Sequence, residues 1–257
     1  MRRLRIIGIG AGDPGFVTVE AVEALREVEA FFVLDKPGPA SDLTRAREAI
    51  VDRFVPDDPG RLVYVPDPPR DRDPADAAAY EAAVVAWRDE RVRRLRAAIE
   101  GELGPDGVGG FLVWGDPSLY DGTIRMVEDL LAGGLEADHD VVAGVSAVHA
   151  LTARHRIPLN RVAGAVQITT GRRLAQAWPD GVDDVVVMLD SHLECRAYAD
   201  DDVDVYWGAY LGTPDELLVS GRLGEVLPEI ERVRAQARER HGWVMDTYLL
   251  RRAPLDV

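Results

Sequence analysis

The sequence has little of what defines a metal protein, a disulfide-stabilised domain or a membrane protein. One cysteine, Cys195, and five histidines stand among 257 residues, so an intramolecular disulfide is impossible and no spacing matches a zinc site. The apolar stretch after Met1 is short and interrupted by glycines, and no other apolar run is long enough to cross a bilayer. We therefore expect a cytoplasmic protein with no bound metal.

Positive charge is also scarce. The chain carries 30 Lys and Arg against 45 Asp and Glu, a formal net charge of -15. This balance disfavours general attraction to nucleic acid or to an anionic membrane, whereas a local basic patch still suits a small anionic molecule. Because 47% of the residues are hydrophobic, the chain can bury one large core or two modest ones. We expect a small-molecule partner.

The pattern of apolar residues changes along the chain. In the first part, apolar strands near residues 4–9, 31–34 and 110–114 alternate with helices near 18–28 and 77–103, which is typical of a parallel sheet. Thr18 is the predicted cap of the helix near 18–28, and Ser146 is the predicted cap of a later helix at 146–155. Residues 55–75, rich in proline and aspartate around a short strand-like stretch, are interpreted as an irregular surface excursion.

The later part has closely spaced strand candidates and one long helix, at 223–240, which favours a mixed or antiparallel sheet. We predict an α/β fold with two domains, residues 1–117 and 118–257.

Two of the predicted strands end in the same turn. Gly12-Asp13-Pro14 follows the first strand and Gly115-Asp116-Pro117 follows the strand at 110–114. Ligands bind at the carboxyl ends of the strands in open α/β sheets, so we expect the two turns to line one pocket. Asp13 and Asp116 either contact a ligand or hydrogen-bond to their own turns. The residues alone leave both roles open.

The segment Gly10–Gly15 also matches the dinucleotide pattern G-x-G-x-x-G, with Asp35 about twenty residues further on. An NAD-dependent oxidoreductase using Gly10, Gly12, Gly15 and Asp35 is therefore an alternative. Two features argue against it, because Pro14 lacks a backbone donor and the helix begins only near Thr18.

Taken together, the motifs resemble the tetrapyrrole methylases. The resemblance rests on three segments in order, 8–14 with Thr18, 115–120 and 143–147. Alanine stands at Ala11 and Ala143, where the family usually has proline. The stretches 187–194 and 206–212 resemble one branch of the family, which methylates C-1 of precorrin-5 and removes the acyl unit extruded earlier.

The resemblance implies a two-domain fold with an active cleft between the domains, S-adenosylmethionine as methyl donor, a tetrapyrrole substrate of cobalamin biosynthesis and a homodimer. It also implies that the donor is bound by Gly10, Ala11, Gly115, Asp116, Pro117, Tyr120, Ser146, Ala147, Met188, Leu189, Tyr210 and Leu211. Without the resemblance, Met188 would be interpreted as a core residue at a strand end.

Several other functions remain open at this point. Another precorrin methylase, a methylase of RNA or protein with the same fold, or a cofactor-binding regulator without catalysis would share these motifs. The acidic charge disfavours RNA but does not exclude a protein acceptor.

Two further needs follow from the implied chemistry. Deacylation requires water to attack an acyl carbonyl, which one general base would assist, and His192, Glu194 and Tyr120 are the candidate catalytic residues, with Asp190 beside them. The substrate's carboxylates require donors, for which Arg172 and Arg173 are the candidates, since arginine pairs well with carboxylates. Asp13 is also a candidate substrate contact, as an acceptor of hydrogen bonds from the ligand. A solvated surface is the alternative role for the two arginines.

We predict that removing the charge of Arg172 or Arg173 raises the Michaelis constant for the tetrapyrrole, because a carboxylate partner is lost, and leaves the affinity for the methyl donor unchanged. Steady-state kinetics with either substrate varied measures both quantities. Unchanged tetrapyrrole kinetics would mean that these arginines belong to a solvated surface.

Overall fold

The computed structural model describes residues 1–35, 41–56, 61–69 and 75–252. These residues form two compact units. Unit 1 comprises Met1–Gly10 and Pro14–Val145, and unit 2 comprises Ala11–Asp13 and the chain from Ser146 onward.

Unit 1 is built on a parallel sheet, as the alternation of strands and helices predicts. The strand order is β3-β2-β4-β1-β5, and every neighbouring pair is parallel. Its described elements are β1 (Arg2–Gly8), α1 (Val19–Glu27), β2 (Ala30–Asp35), α2 (Ser41–Phe54), β3 (Arg61–Pro66), α3 (Ala77–Glu102), β4 (Val108–Val113), α4 (Thr123–Ala132) and β5 (Ala137–Val142), with a 3-10 helix at Pro14–Phe16.

Helices cover both faces of this sheet. Successive side chains of a strand point to opposite faces, so Ile6 of β1 packs in one apolar cluster with residues of α3 and α4, whereas Ile7 packs in another with residues of α1 and α2. Both isoleucines are fully buried. This two-sided burial explains why the central strands are nearly continuous apolar runs.

Polar side chains cap the N-termini of α1 and α3, and only the cap of α1 was predicted from the sequence. Thr18 caps α1, as predicted, and its side chain accepts a hydrogen bond from the amide of Ala21. Asp76 caps α3 in the same way through the amide of Ala79.

The sequence interpretation contained no counterpart to α2, and it treated β3 as part of an irregular excursion, whereas β3 pairs with β2 as an edge strand. No described helix is apolar over a length that would cross a membrane.

Unit 2 is built on a mixed sheet of order β6-β7-β10-β8-β9, again as predicted. The pair β6–β7 is parallel, and the other pairs are antiparallel. Its described elements are α5 (Ala147–His155), β6 (Val166–Thr170), α6 (Gly171–Leu174), β7 (Asp184–Met188), a 3-10 helix (Glu194–Tyr198), β8 (Val203–Ala209), β9 (Leu217–Arg222), α7 (Leu223–His241) and β10 (Asp246–Arg252).

A buried ion pair lies in the core of unit 2. Arg234 of α7 donates from Nε to Asp246 of β10 at 2.8 Å, and Trp207 donates to the same carboxylate at 3.1 Å. The side chains of Arg234 and Asp246 are only 8% and 3% exposed. Burial raises the pKa of the Asp246 carboxyl, and the neighbouring Arg234 opposes that rise. The guanidinium therefore compensates a carboxylate that water cannot reach.

The boundary between the units differs from the predicted boundary at residues 117 and 118. It falls between Val145 and Ser146, because β5 pairs in parallel with β1 and α4 packs against α3. Residues 118–145 therefore complete the first core. The sequence of β5 is polar, with Asp138, His139 and Asp140, because an edge strand needs few apolar residues. It therefore gives no sign that the strand belongs to the first core.

We predict that Arg234→Ala lowers the free energy of unfolding by about 3–5 kcal/mol, because it leaves the buried Asp246 carboxylate without its partner. Urea denaturation of the purified protein measures this change. Arg232→Ala is the matched control on the same helix, since that side chain is 58% exposed and surface changes usually stay within about 0.5 kcal/mol. Equal effects of the two substitutions would contradict the role of the buried pair.

Candidate functional site

The two Gly-Asp-Pro turns lie at the ends of neighbouring parallel strands. β1 and β4 pair in register from Arg3–Val108 to Gly8–Val113. Just beyond, Gly10 and Gly115 exchange two backbone hydrogen bonds, of 3.2 and 2.9 Å. Both glycines have left-handed φ values, +78° and +74°, which residues with a side chain rarely adopt. The loops that follow β1 and β4 therefore meet at Gly10 and Gly115, within unit 1.

A third loop, which follows β5, reaches the same place. A Cβ atom on Gly144 would lie 2.1 Å from the carbonyl oxygen of Gly115, and one on Gly8 would lie 2.7 Å from the amide nitrogen of Gly144. Neither position has room for a side chain. The three segments named in the family resemblance thus converge at Gly8, Gly115 and Gly144, which we call the glycine junction.

The carboxylate of Asp116 ties this junction together. Its Oδ2 accepts the amide of Gly144 at 2.8 Å, and its Oδ1 accepts both the amide of Ser118, at 2.9 Å, and the Ser118 hydroxyl. Of the two roles open from the sequence, the structure supports loop shaping for Asp116. Pro117 lies against Gly8 in the same junction.

Strained backbone marks three of the predicted donor contacts. Tyr120 of unit 1, at φ +53°, and Leu189 and Tyr210 of unit 2, at +54° and +50°, are left-handed although none is a glycine. Such conformations cost about 1–3 kcal/mol and cluster at functional sites. Tyr120 is 46% exposed and Leu189 is 67% exposed, so core packing does not account for their strain.

In unit 2, the predicted contacts Ser146 and Ala147 begin α5. Ser146 is buried and caps the helix through the amide of His149, and its Oγ lies 2.8 Å from His149 Nδ1. Ala147 is the first helical residue. The sequence interpretation predicted the cap but overlooked its histidine partner, which lies three residues further on.

The segment after β7 carries the candidate bases. Met188 is the last residue of β7, and Asp190 follows the exposed Leu189. Asp190 is itself buried, and its carboxylate accepts the amides of His192 and Glu194 at 3.0 and 2.8 Å. It also accepts the Tyr248 hydroxyl at 2.5 Å. With three donors on one carboxylate, Asp190 holds the segment in shape, and its oxygens are already engaged within unit 2.

The other candidate bases differ in their surroundings. His192 is exposed, and Glu194 is partly buried at the start of a 3-10 helix. For Tyr120, burial raises the pKa of the hydroxyl above its usual value. Its phenolate is thereby disfavoured, so the Tyr120 hydroxyl keeps its proton and suits donation of a hydrogen bond.

The two candidate substrate arginines lie beside this segment. Arg172 and Arg173 are exposed on the short helix α6, and a Cβ on Gly171, the first residue of α6, would lie 2.5 Å from the Asp190 side chain. Among the described residues neither arginine has an ion-pair partner. The structure thus brings Arg172 and Arg173 close to the residue that shapes the loop of His192 and Glu194.

The remaining predicted contacts are constrained within unit 2. Ala11, Tyr210 and Leu211 are buried, and the Tyr210 hydroxyl donates to the carbonyl of Trp243. Asp13 forms an ion pair with Arg154 at 3.2 Å. The sequence interpretation placed Asp13 against the substrate, but its carboxylate already has an arginine partner.

The structure weakens the dinucleotide alternative. The amide of Gly10 donates to the carbonyl of Gly115, and a 3-10 helix at Pro14–Phe16 separates the glycines from α1, which begins at Val19. A dinucleotide loop requires the helix to begin within the glycine motif, so that its amides face the pyrophosphate. The backbone of Asp35 ends β2, and its side chain lies outside the described part of the chain.

A parallel sheet and a mixed sheet, with three glycine loops at the strand ends of the first, define the class of this protein. The family model for Tetrapyrrole (Corrin/Porphyrin) Methylases matches residues 3–227, so the chain belongs to that family. It is 43% identical to a precorrin-6A synthase [deacetylating] from Sinorhizobium sp, over 98% of this chain and 96% of the relative.

Solved structures agree with this assignment. A Corynebacterium diphtheriae protein described as cobalamin synthesis related (CobF) superposes with a TM-score of 0.84 at 39% identity, over 98% of each chain. A uroporphyrin-III C-methyltransferase from Thermus thermophilus, crystallised with S-adenosylhomocysteine, superposes with a TM-score of 0.56 at 20% identity, over 96% of this chain and 91% of that one. The latter likeness supports the fold alone.

We predict that Gly144→Ala destabilises the protein by at least about 1–3 kcal/mol, the usual cost of overpacking, because its methyl group would meet the Gly115 carbonyl oxygen. Urea denaturation measures the change. Gly101→Ala is the control, since a Cβ there meets nothing within 4 Å and the substitution favours α3 by up to about 1 kcal/mol. A neutral Gly144→Ala would contradict the close approach of the loops.

Proposed function

We propose that this chain is an S-adenosylmethionine-dependent C-methyltransferase of cobalamin biosynthesis that methylates C-1 of precorrin-5 and removes an acetyl unit. The observation that carries the proposal is the 43% identity to a precorrin-6A synthase [deacetylating], which extends over 98% of the chain. The glycine junction supports it, because the three segments that carry the family resemblance meet there.

The proposed donor has an apolar purine, and each unit by itself offers an exposed apolar side chain that suits it. Tyr120 in unit 1 and Leu189 in unit 2 expose apolar side chains on strained backbone, and such side chains suit a purine face. The predicted donor contacts Gly10, Ala11, Gly115, Asp116, Pro117, Tyr120, Ser146, Ala147, Met188, Leu189, Tyr210 and Leu211 form part of this proposal. For Asp116 we propose an indirect contribution through the loop that it shapes.

The methyl donor supplies an electrophilic methyl group on a sulfonium, and the electron-rich tetrapyrrole supplies the nucleophile. The chain therefore needs no nucleophilic side chain, and its main task is to hold the two reactants in line. Rigid loops serve that task. The hydrogen bonds of Asp116 and Asp190 restrain loops of unit 1 and unit 2, respectively.

Deacetylation adds a step in which a water oxygen bonds to the acetyl carbonyl carbon and the bond from that carbon to the ring carbon breaks. The ring keeps the electron pair of the broken bond as an enamine-like system, and acetate leaves. The base that takes the water proton is proposed to be His192 or Glu194, with the protonated Tyr120 hydroxyl as a hydrogen-bond donor. The exposed Arg172 and Arg173 are proposed to bind substrate carboxylates. We also propose a homodimer, the usual assembly in the family, and a cytoplasmic location.

We predict that the purified chain transfers the labelled methyl group of S-adenosylmethionine to precorrin-5 and releases acetate, because methylation and deacetylation are both part of the proposed reaction. Mass spectrometry of the tetrapyrrole shows the gained methyl and the lost acetyl group. Labelling without acetyl loss would favour another precorrin methylase.

Equilibrium titration with S-adenosylhomocysteine and with NAD provides the control for the donor. Binding of NAD alone would reject the methylase proposal in favour of the oxidoreductase. Binding of S-adenosylhomocysteine without turnover of any precorrin would favour a regulator that has lost catalysis.

A further inference from the structure

Arg154 holds two separate carboxylates within unit 2. It lies in the last turn of α5, where a cation also suits the helix dipole. Its Nε donates to Glu216 at 3.0 Å, and its Nη2 donates to Asp13 at 3.2 Å. From the sequence, Arg154 belongs to a group of arginines near the predicted motifs and is equally suited to a substrate carboxylate. The structure gives its guanidinium internal partners.

Glu216 extends this arrangement to the late segment of the family motif. The same Oε2 that binds Arg154 accepts the amide of Gly212 at 2.7 Å. Gly212, at φ +75°, follows Leu211 and the strained Tyr210. The turn is closed further by Thr213, whose amide and hydroxyl both donate to the Tyr210 carbonyl at 3.0 and 2.7 Å. The carboxylate of Glu216 thus fixes the backbone just after two predicted donor contacts.

The exposure of these groups indicates what the arrangement does. The side chains of Arg154, Asp13 and Glu216 are 34%, 39% and 22% exposed. Ion pairs at this level of exposure contribute little to global stability, because water screens them. A guanidinium with donors at fixed angles is nevertheless well suited to set the relative position of two carboxylates. We therefore expect the ion pairs of Arg154 to affect the local geometry of the two loops more than the free energy of unfolding.

We propose that Arg154 is a positioning residue for binding of the methyl donor: by holding Asp13 and Glu216 it fixes the loop of Ala11–Asp13 and the segment Tyr210–Gly212. This inference rests on the proposed function for its ligand. Its structural part, the fixing of the segment around Gly212, is independent of the ligand.

The test compares Arg154→Gln with Arg222→Gln, a closely matched control in unit 2. Arg222 also binds two carboxylates, those of Asp202 and Asp204, with 37% of its side chain exposed, but it lies in none of the predicted site segments. Calorimetric titration measures the dissociation constant of S-adenosylhomocysteine. Hydrogen exchange followed by mass spectrometry measures protection of the peptide covering residues 210–216.

We predict that Arg154→Gln weakens S-adenosylhomocysteine binding about tenfold and speeds exchange of residues 210–216 about tenfold, because misplaced contacts lose affinity and a loosened turn opens more often. Arg222→Gln should change neither quantity, and the melting temperatures of the two variants should agree. Arg154→Lys should resemble Arg154→Gln in both measurements, since an ammonium lacks the two fixed donors.

Unchanged affinity and unchanged exchange in Arg154→Gln would overturn the inference, as would equal changes in the Arg222→Gln control. If Arg154→Gln does not fold, Glu216→Met decides, because it keeps a similar side-chain volume but removes the oxygen that accepts from Arg154 and Gly212: tenfold weaker binding supports the inference and unchanged binding rejects it. If the unmodified protein fails to bind S-adenosylhomocysteine, the proposed function fails, and faster exchange in Arg154→Gln still supports Arg154 as the residue that fixes the turn.

Discussion

The close approach of three backbones at Gly8, Gly115 and Gly144 is the constraint on which the candidate site depends. Parallel pairing brings the ends of β1, β4 and β5 to one edge of the first sheet, and the loops that leave them meet where no Cβ atom fits. Glycine is required there by space, independently of any ligand. The carboxylate of Asp116 then fixes this arrangement, because it lies in the loop after β4 and accepts a hydrogen bond from the Gly144 amide in the loop after β5.

Carboxylates serve the same purpose at other loops. Asp190 accepts two amides of the segment after β7, and Glu216 accepts the amide of Gly212. Each of these carboxylates accepts hydrogen bonds from backbone amides that would otherwise lack partners. Part of the acidic excess of the chain is thus used within its own loops. For methyl transfer, in which alignment supplies most of the acceleration, rigid loops are the main requirement.

Much of the fold was predictable because its signals are local. The parallel and mixed sheets follow from apolar runs and their spacing, and Thr18 and Ser146 act as the predicted helix caps. The domain boundary was not predictable, because β5 is a polar edge strand that pairs with β1, more than a hundred residues away in sequence. The helix α2 was overlooked although its signal is also local, since apolar residues at positions 43, 46, 50 and 54 recur at helical spacing.

The sequence by itself determined the class of fold, the three glycine segments in their order and the family resemblance, since each depends on residue types at fixed spacing. Only the tertiary structure decided what the charged residues do. Asp13, Asp116 and Asp190 all looked available for a ligand, yet Asp13 pairs with Arg154 and the other two hold backbone amides. Those partners lie between two and more than a hundred residues away along the chain, and the direction in which a side chain points is set by packing.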